Sequence, residues 1–506
     1  MAKFLLAHDL GTSGNKVTLF DVEGKLIKSV IAPYDTHYFN GSWAEQSTDD
    51  WWKAVCDSTK HLLSGIDKKQ VVAVSFSGQM QNLLCIDKAG RPLGPSIIWA
   101  DMRSSKEEKH MRTAMDPWKY YTIAGTQPSS GYTLEKLMWL KANDPDAYKN
   151  TYKILSAKDY IIYKMTGKIA IDPSNGSGTS AMDIVKRSWS EEIIDAAGVD
   201  GEMFPEILEA TTVMGEIGPH IADECGLAPG TLVVLGGGDG QCASVGAGSI
   251  AEGRTYLSAG SSAWVATASS KPIYSQDMGV VNLAHVVPGM LCPSGTMQTA
   301  GSAFNWIKNE LCRDEQRLAA EQGKSPYDFI NAQIESAPVG SNGMLFLPYL
   351  MGERAPRWNP NAKGSFVGMK MNNTRADMLR SVIEGVAMNL CIILRQLQQH
   401  MSIDQVAIIG GLSKGSVVRQ IIADVFGTDI LQLSYMDEMA SMGAAVIAGV
   451  GAGVLEGFED ISRFSKVTAV SKADPANTAK YAKLMGLFDK AYESMLELYD
   501  ELSAWN

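Results

Sequence analysis

Three short segments carry the residue types that phosphate chemistry needs. The first is Asp9-Leu10-Gly11-Thr12-Ser13-Gly14-Asn15-Lys16. An apolar run at residues 4–7 reads as a strand that delivers Asp9 to its end, and a Gly-rich turn follows. Glycine permits close approach and unusual dihedrals, so the turn's N–H groups and the hydroxyls of Thr12 and Ser13 can surround phosphate oxygens. A neighbouring carboxylate suits Mg²⁺, which binds through one or two carboxylates plus substrate phosphates. A tight turn in which Asp9 satisfies backbone donors fits the same residues. The second segment is Gly236-Gly237-Gly238-Asp239-Gly240-Gln241, after an apolar run at 231–235. Asp239 suits either a helix N-cap or a general base. Three glycines would clear room for a ligand at the acid, which a cap does not require. Phosphoryl transfer needs two reactants positioned, charge neutralised and a hydroxyl proton accepted. The third is Ile409-Gly410-Gly411-Leu412-Ser413-Lys414, a strand, a double glycine and a helix start. It makes a nucleotide-sized ledge or a plain β–α turn.

A fourth region holds Gln79-Met80-Gln81 and Trp99-Ala100-Asp101-x-Arg103, both after strand-like runs. Amides, an indole and a carboxylate in one pocket suit a polyhydroxylated ligand, whose hydroxyls need donors and acceptors. Alternatively Asp101 and Arg103 form a local ion pair and Trp99 is core.

These segments need an α/β frame. Short β-branched runs at 4–7, 17–20, 71–76, 83–86, 232–235, 255–257, 264–267 and 406–409 alternate with helical patterns. The helical stretches are 49–63, 134–141, 158–165, 300–311, 375–400, 417–426 and 477–502, with Thr48 and Asp49 as caps for the first. Met378, Val382, Val386, Leu390 and Leu394 form a core stripe on one of them. The strand–Gly11-Thr12-Ser13–strand pattern recurs as Gly260-Ser261-Ser262 between 255–257 and 264–267. Two such hairpins about half a chain apart predict two related domains around one cleft, divided as residues 1–249 and 250–506.

The bulk numbers agree. With 506 residues the chain is long enough for two to four domains. Its net charge of −11 and lack of a Lys/Arg cluster argue against nucleic acid. Seven scattered cysteines, an odd number with no C-x-x-C, read as buried thiols in a reducing compartment. No apolar run approaches the roughly 18 residues of a membrane span, and the start of the chain reads as a strand rather than a signal peptide. These features predict a soluble cytoplasmic protein. No G-x-x-x-x-G-K-[ST] loop occurs. Gly246-x-Gly248-x-x-Ala251 matches a dinucleotide fingerprint, but it follows a helical pattern and not a strand, which points to close helix packing.

Taken together the segments resemble the FGGY family of carbohydrate kinases, over nearly the whole chain. Gly364-Ser365-Phe366-Val367-Gly368-Met369 with Asp377-Met378-x-x-Ser381-Val382-Ile383-Glu384 fits the family's C-terminal signature. Gly131-Tyr132-Thr133-x-x-Lys136-Leu137-x-Trp139-Leu140 fits the other signature except at Ala142, where the family has a polar residue. Trp43-Ala44-Glu45-Gln46 and Pro348-Tyr349-x-x-Gly352-Glu353-Arg354-x-Pro356 are similar to family segments.

The resemblance implies two actin-like (ribonuclease-H-like) domains flanking a deep catalytic cleft, an N-terminal one for sugar and catalysis and a C-terminal one for ATP. It implies Asp239 as catalytic base. Asp9 and Asp239 would lie at Mg²⁺, and Thr12, Ser13, Gly260, Ser261 and Ser262 would lie at the ATP phosphates. Gly301, Asn305, Gly410, Gly411 and Lys414 would lie at the rest of ATP. Gln79, Met80, Gln81 and Asp101, with Asp239, would meet the sugar. Within the family the chain is most similar to xylulokinases, which implies a ketopentose such as D-xylulose as substrate and a homodimer as a candidate assembly. Gln81 stands where xylulokinases have His; both side chains donate and accept, but the preferred stereochemistry can differ. Other substrates in the same family, a tetrulose, another ketose or a polyol, remain alternatives, as does a non-catalytic actin-like ATP switch.

Overall fold

The computed structural model describes residues 3–505. Two seven-stranded sheets organise it, one from each half of the chain. In the first, Phe4–Leu10, Gly14–Asp21 and Leu26–Pro33 run as an antiparallel meander. Val71–Gly78 and then Leu232–Val234 add in parallel on the other side of Phe4–Leu10. In the second, Thr255–Ala259, Ala263–Thr267 and Leu291–Met297 form the meander, and Gln405–Ile409 and Asp429–Leu433 add in parallel. The spatial order third, second, first, fourth, fifth therefore occurs twice. This is the duplication that the two Gly-hydroxyl turns predict.

Both first strands lie mid-sheet with helices on each face, so they read as apolar runs without alternation. Leu26–Pro33, at an edge, alternates between half-buried and exposed along its length, with Ile27 and Ile31 on the exposed side and Lys28 on the half-buried one, which weakens the strand signal. His8, in the middle of Phe4–Leu10, is fully buried, stacks on Phe76 and meets the Asn15 amide at 3.0 Å. Burial pushes its imidazole down to about 3, so it is neutral and structural.

Two helices fill the space between the sheets, Asp239–Gly246 and Met439–Gly451. Their core meets Leu5, Ala7 and Val234 on one side and Tyr256, Ala266 and Ile409 on the other. The helices touch backbone to backbone. A Cβ at Gly246 would lie 2.2 Å from the Met439 carbonyl oxygen, and one at Gly443 would lie 1.9 Å from that of Cys242. In Gly246-x-Gly248-x-x-Ala251 the first glycine is thus helix packing, as its context suggests, while Gly248 (φ +75°) turns the chain after the helix in open space. The helix Met439–Gly451 lies against the first sheet although it belongs to the second half of the chain. A division at residue 249 accordingly separates chain segments and not packing units.

Most predicted helices form within a residue or two. Thr48–Leu62 is capped by Ser47, whose hydroxyl accepts from Asp50 N at 3.4 Å, and not by Thr48 or Asp49. The predicted 477–502 helix is two, Pro475–Ser494 and Leu496–Ser503, broken at Met495 (φ −100°, ψ −4°). Val382, Val386, Leu390 and Leu394 are buried as the stripe predicts, while Met378 is half-buried. All seven thiols are free and buried. Among the described residues no helix is long and apolar enough to cross a membrane.

Candidate active site

The first hairpin sits where Phe4–Leu10 turns into Gly14–Asp21, closed by Gly11 N donating to Gly14 O at 3.0 Å. Its carbonyls are held from behind. Gln46 Nε2 and Thr36 Oγ1 donate to Thr12 O at 2.7 and 3.1 Å, and the Tyr34 hydroxyl donates to Gly11 O. The amides of Thr12 and Ser13 have no partner among the described residues, so they are free to receive an anion. The second hairpin, at Gly260-Ser261-Ser262, is held by the start of the helix Gly301–Leu311. Gly301 N donates to Gly260 O at 2.9 Å, and Ala300 N and Ser302 N donate to Ser261 O at 3.0 Å. A Cβ at Gly301 would meet Gly260 O at 2.4 Å, so the contact requires glycine. The positive end of that helix adds to the free amides of the turn.

Asp9 stands on one strand and Asp239 directly follows another, Gly237–Gly238, with a single strand between the two. Asp9 is level with Ser77 on Val71–Gly78, and Gly237 and Gly238 pair with Ser77 and Gly78 on its other edge. Two strand spacings put the two backbones roughly 10 Å apart, with Ser77 Oγ donating to Asp9 Oδ1 at 2.7 Å. Asp239 is the first residue of its helix, but the cap position is Gly238 and no side chain caps it. The N-cap alternative therefore falls. The Asp239 carboxylate opens to cleft solvent, accepting one bond from Gly240 N at 2.8 Å. The protein walls around it, and secondarily the charge of Asp9, push its carboxyl up to about 7. Burial likewise raises Asp9, against the lowering influence of Ser77 and Lys16.

The three glycines before Asp239 do not clear room for a ligand, contrary to expectation. A Cβ at Gly236 would strike Phe76 O at 1.9 Å, one at Gly237 would strike Val286 at 2.3 Å, and one at Gly238 would strike Met80 Sδ at 2.6 Å. They bring the acid's strand against the sheet and against Met80.

A cavity of about 770 Å³ opens beside the second hairpin. It joins Gly260, Ser261, Gly301, Asn305, Gly411 and Lys414, residues predicted from three separate places in the sequence. Gly410 has φ +91°, and a Cβ there would meet Ala259 O at 2.6 Å. Gly411 faces open space. Not foreseen were Tyr327 and Asn331, from the helix Pro326–Ser336. Tyr327 packs on Phe304, and Asn331 Oδ1 is buried without a partner. An aromatic wall, an unsatisfied amide and free backbone donors fit a nucleotide. Ser262, half-buried, does not line the cavity but stays in the turn.

The residues predicted for the sugar divide. Gln81 and Trp99 line a second cavity, of about 480 Å³, together with Tyr132, Thr296, Glu353 and Arg354. Trp99 is 38% exposed, not core, and its indole donates to Thr12 Oγ1 at 2.9 Å. Gln81 adopts φ +66°, and its carbonyl is gripped by Lys136 Nζ at 2.8 Å. Lys136 is fully buried, which pushes its ammonium down to about 7. Met80 is 8% exposed, under Gly238. Two residues expected on the wall lie behind it. Gln79 is buried, with its amide on Gln46 Oε1 at 2.6 Å. Asp101 is fully buried, with both oxygens taken by Arg103 and one by Ala44 N at 2.6 Å. The local ion pair is the correct alternative for Asp101, and it braces the loop that presents Trp99.

No cluster of three or more His, Cys, Asp or Glu side chains able to hold a metal occurs among the described residues. Asp9 and Asp239 are two carboxylates both raised, Asp239 in part by the charge of Asp9, a donor set that fits a cation sharing its remaining positions with phosphate oxygens and water.

The chain matches the N-terminal domain of the FGGY family of carbohydrate kinases over residues 4–246 and the C-terminal domain over residues 255–452. A xylulose kinase of Staphylococcus xylosus is 29% identical, covering 97% of this chain and 100% of that protein. A gluconokinase of Bacillus licheniformis is 28% identical, covering 99% and 98%. The crystal structure of ligand-bound xylulose kinase from Lactobacillus acidophilus superposes with a TM-score of 0.91 at 27% identity, over 99% of this chain and 100% of that one. The chain belongs to the FGGY family of carbohydrate kinases.

Proposed function

We propose that this FGGY kinase transfers the γ-phosphate of ATP to a primary hydroxyl of a small ketose, in the first instance a ketopentose such as D-xylulose. The observation that carries the reading is Asp239. It is an unpaired acid in the cleft with its carboxyl near 7, just after the strand next but one to that of Asp9. An acid near neutrality is suited to take a proton at ordinary pH. ATP lies with its adenosine in the cavity of Gly301, Asn305, Gly411 and Lys414 and its phosphates between Gly11-Thr12-Ser13 and Gly260-Ser261-Ser262. The sugar lies toward Gln81, Met80 and Trp99. The bond between γ-phosphorus and the β-bridging oxygen breaks as the sugar oxygen attacks, ADP leaves, and Asp239 receives the hydroxyl proton. Asp9 and Asp239 would hold Mg²⁺, which when bound neutralises phosphate charge. Excluding water between the two halves of the chain suppresses ATP hydrolysis.

A second reading concerns the acceptor. Arg354 is exposed in the cavity of Gln81 and Trp99 and takes no ion-pair partner among the described residues. A carboxylated polyol would satisfy it, and a gluconokinase is among the relatives. A coupled ADP-release screen over ketopentoses, tetruloses, ketohexoses, polyols and aldonates separates the two. Highest kcat/KM on a ketopentose supports the first, and an aldonate preference overturns it. Asp239→Asn should retain ATP binding by calorimetry and lose turnover by roughly 10²–10⁴; near-normal turnover would reject Asp239 as the base.

A further inference from the structure

Beneath Asp239 lies a charged network that no solvent reaches. Lys158 Nζ sits 2.6 Å from Asp159 Oδ1 and 2.9 Å from Asp172 Oδ1, with all three side chains fully buried. Burying such charges is costly, and an apolar replacement of similar volume is often as stable or more so. Burial alone would push the Lys158 ammonium down, but Asp159 and Asp172 together raise it, so it stays charged. Asp172 Oδ2 accepts from the Ser174 amide at 2.8 Å and from the Ser174 hydroxyl. With its proton committed to Asp172, the Ser174 hydroxyl turns a lone pair outward, and Gly238 N donates to it at 2.8 Å. Gly238 is the residue before Asp239. Gly237, one further back, packs so tightly that a Cβ would lie 3.2 Å from Ser174 Oγ and 3.5 Å from Asp172 Oδ2.

Asp172 also caps the helix Pro173–Gly178 through Ser174 N and Asn175 N. A cap needs no buried lysine, and it gives no reason for the serine hydroxyl to meet a strand more than sixty residues away. The strand it meets, Gly237–Gly238, is only two residues long and pairs with Val71–Gly78 alone. By itself that leaves the acid on a short, glycine-only lead.

We propose that Lys158, Asp172 and Ser174 are positioning residues for Asp239, fixing the Gly238 peptide and so the direction in which the carboxylate leaves the sheet. This rests on the reading of Asp239 as the base. A displacement of about 1 Å at a reacting group can cost on the order of 10²-fold in rate, so the network acts on turnover more than on binding.

The test is a double-mutant cycle. Ser174→Ala keeps the Lys158–Asp172 pair and removes the hydroxyl that links Asp172 to Gly238. It is expected to lower kcat by tenfold or more, while the KM values for sugar and ATP, and the ATP affinity by calorimetry, stay within twofold. In the Asp239→Asn background the same change should have no further effect, because the group it positions is gone. Asp172→Asn should behave like Ser174→Ala; if it does not fold, the cycle with Ser174→Ala decides alone. An unchanged kcat in folded Ser174→Ala overturns the proposal, as does a loss that multiplies with that of Asp239→Asn. Failure of the base reading is distinct, since Asp239→Asn alone would then retain turnover.

Discussion

At the first hairpin the turn's carbonyls are pinned by side chains arriving from elsewhere: Gln46 and Thr36 on Thr12, Tyr34 on Gly11. At the second, backbone N–H groups at the start of the helix Gly301–Leu311 do the same task on Gly260 and Ser261. The turns are otherwise alike, with a glycine, two hydroxyl residues and free amides. The difference sorts their roles. Gln46 also accepts from Gln79 and from Trp51 Nε1, and Trp99 donates to Thr12 Oγ1, so the first turn is wired to the proposed sugar wall. The second is wired to a helix end and opens onto the cavity proposed for the nucleotide. The first carries Asp9, and the matching position in the second is Ser258.

The sharpest break in this comparison is at those matched positions. Asp9→Asn should lower kcat by roughly 10²–10³, the scale of losing a preorganised electrostatic contact, whereas Ser258→Ala should stay within threefold; equal effects in steady-state assays would erase the distinction. The same variant has a pH signature. The negative charge of Asp9 helps to raise Asp239. The base must be deprotonated, so kcat/KM should climb with pH and level off above about 7 in the parent. Without the Asp9 charge the Asp239 carboxyl falls, and the rising limb moves to lower pH. Ser261→Ala, in the second turn, should leave the limb in place.

A smaller effect is expected at the second turn's anchor. Gly301→Ala forces a methyl to 2.4 Å from Gly260 O. It should weaken ATP binding about tenfold and cost about 1–3 kcal/mol of stability, as overpacking does, with sugar KM little changed. Calorimetry and thermal melts read both. The least effect on turnover is expected at the first turn's anchor. Gln46→Leu strips Thr12 O of one of its donors and leaves Gln79 and Trp51 without their acceptor, at about 1–3 kcal/mol. It should raise the sugar KM more than the ATP KM; the reverse would undo the wiring drawn above.

Local signals were legible, and tertiary ones were not. Both hairpins, the Gly410-Gly411 ledge and Asp239 announce themselves because a strand, a glycine and a polar residue are consecutive. Tyr327 and Asn331 reach the proposed nucleotide cavity from a helix whose sequence shows nothing but a capped amphipathic stretch. Gln79 and Asp101 have the right chemistry for a sugar but are spent on protein partners, and side-chain direction at a strand end cannot be read from residue type. Lys158 and Asp172 look like surface charges in a string of letters; burial is what makes them matter. The signature that carried the family resemblance does no chemistry of its own. Asp377 caps its helix with Thr374, and Glu384 holds Gly340 N, Arg380 and Tyr481 together in the core.

The helix Met439–Gly451 has a consequence for how the chain comes off the ribosome. It covers Leu5, Ala7 and Val234 from the far end of the sequence. At 5–20 residues per second, the ~200 residues between the two central helices take roughly 10–40 s to synthesise. Through that interval this face of the first sheet lacks one of the two helices that pack on it, with Asp239–Gly246 already made. The two halves share this core, so a fragment ending near residue 249 should expose that face and be recovered soluble in higher yield when its complement is co-expressed.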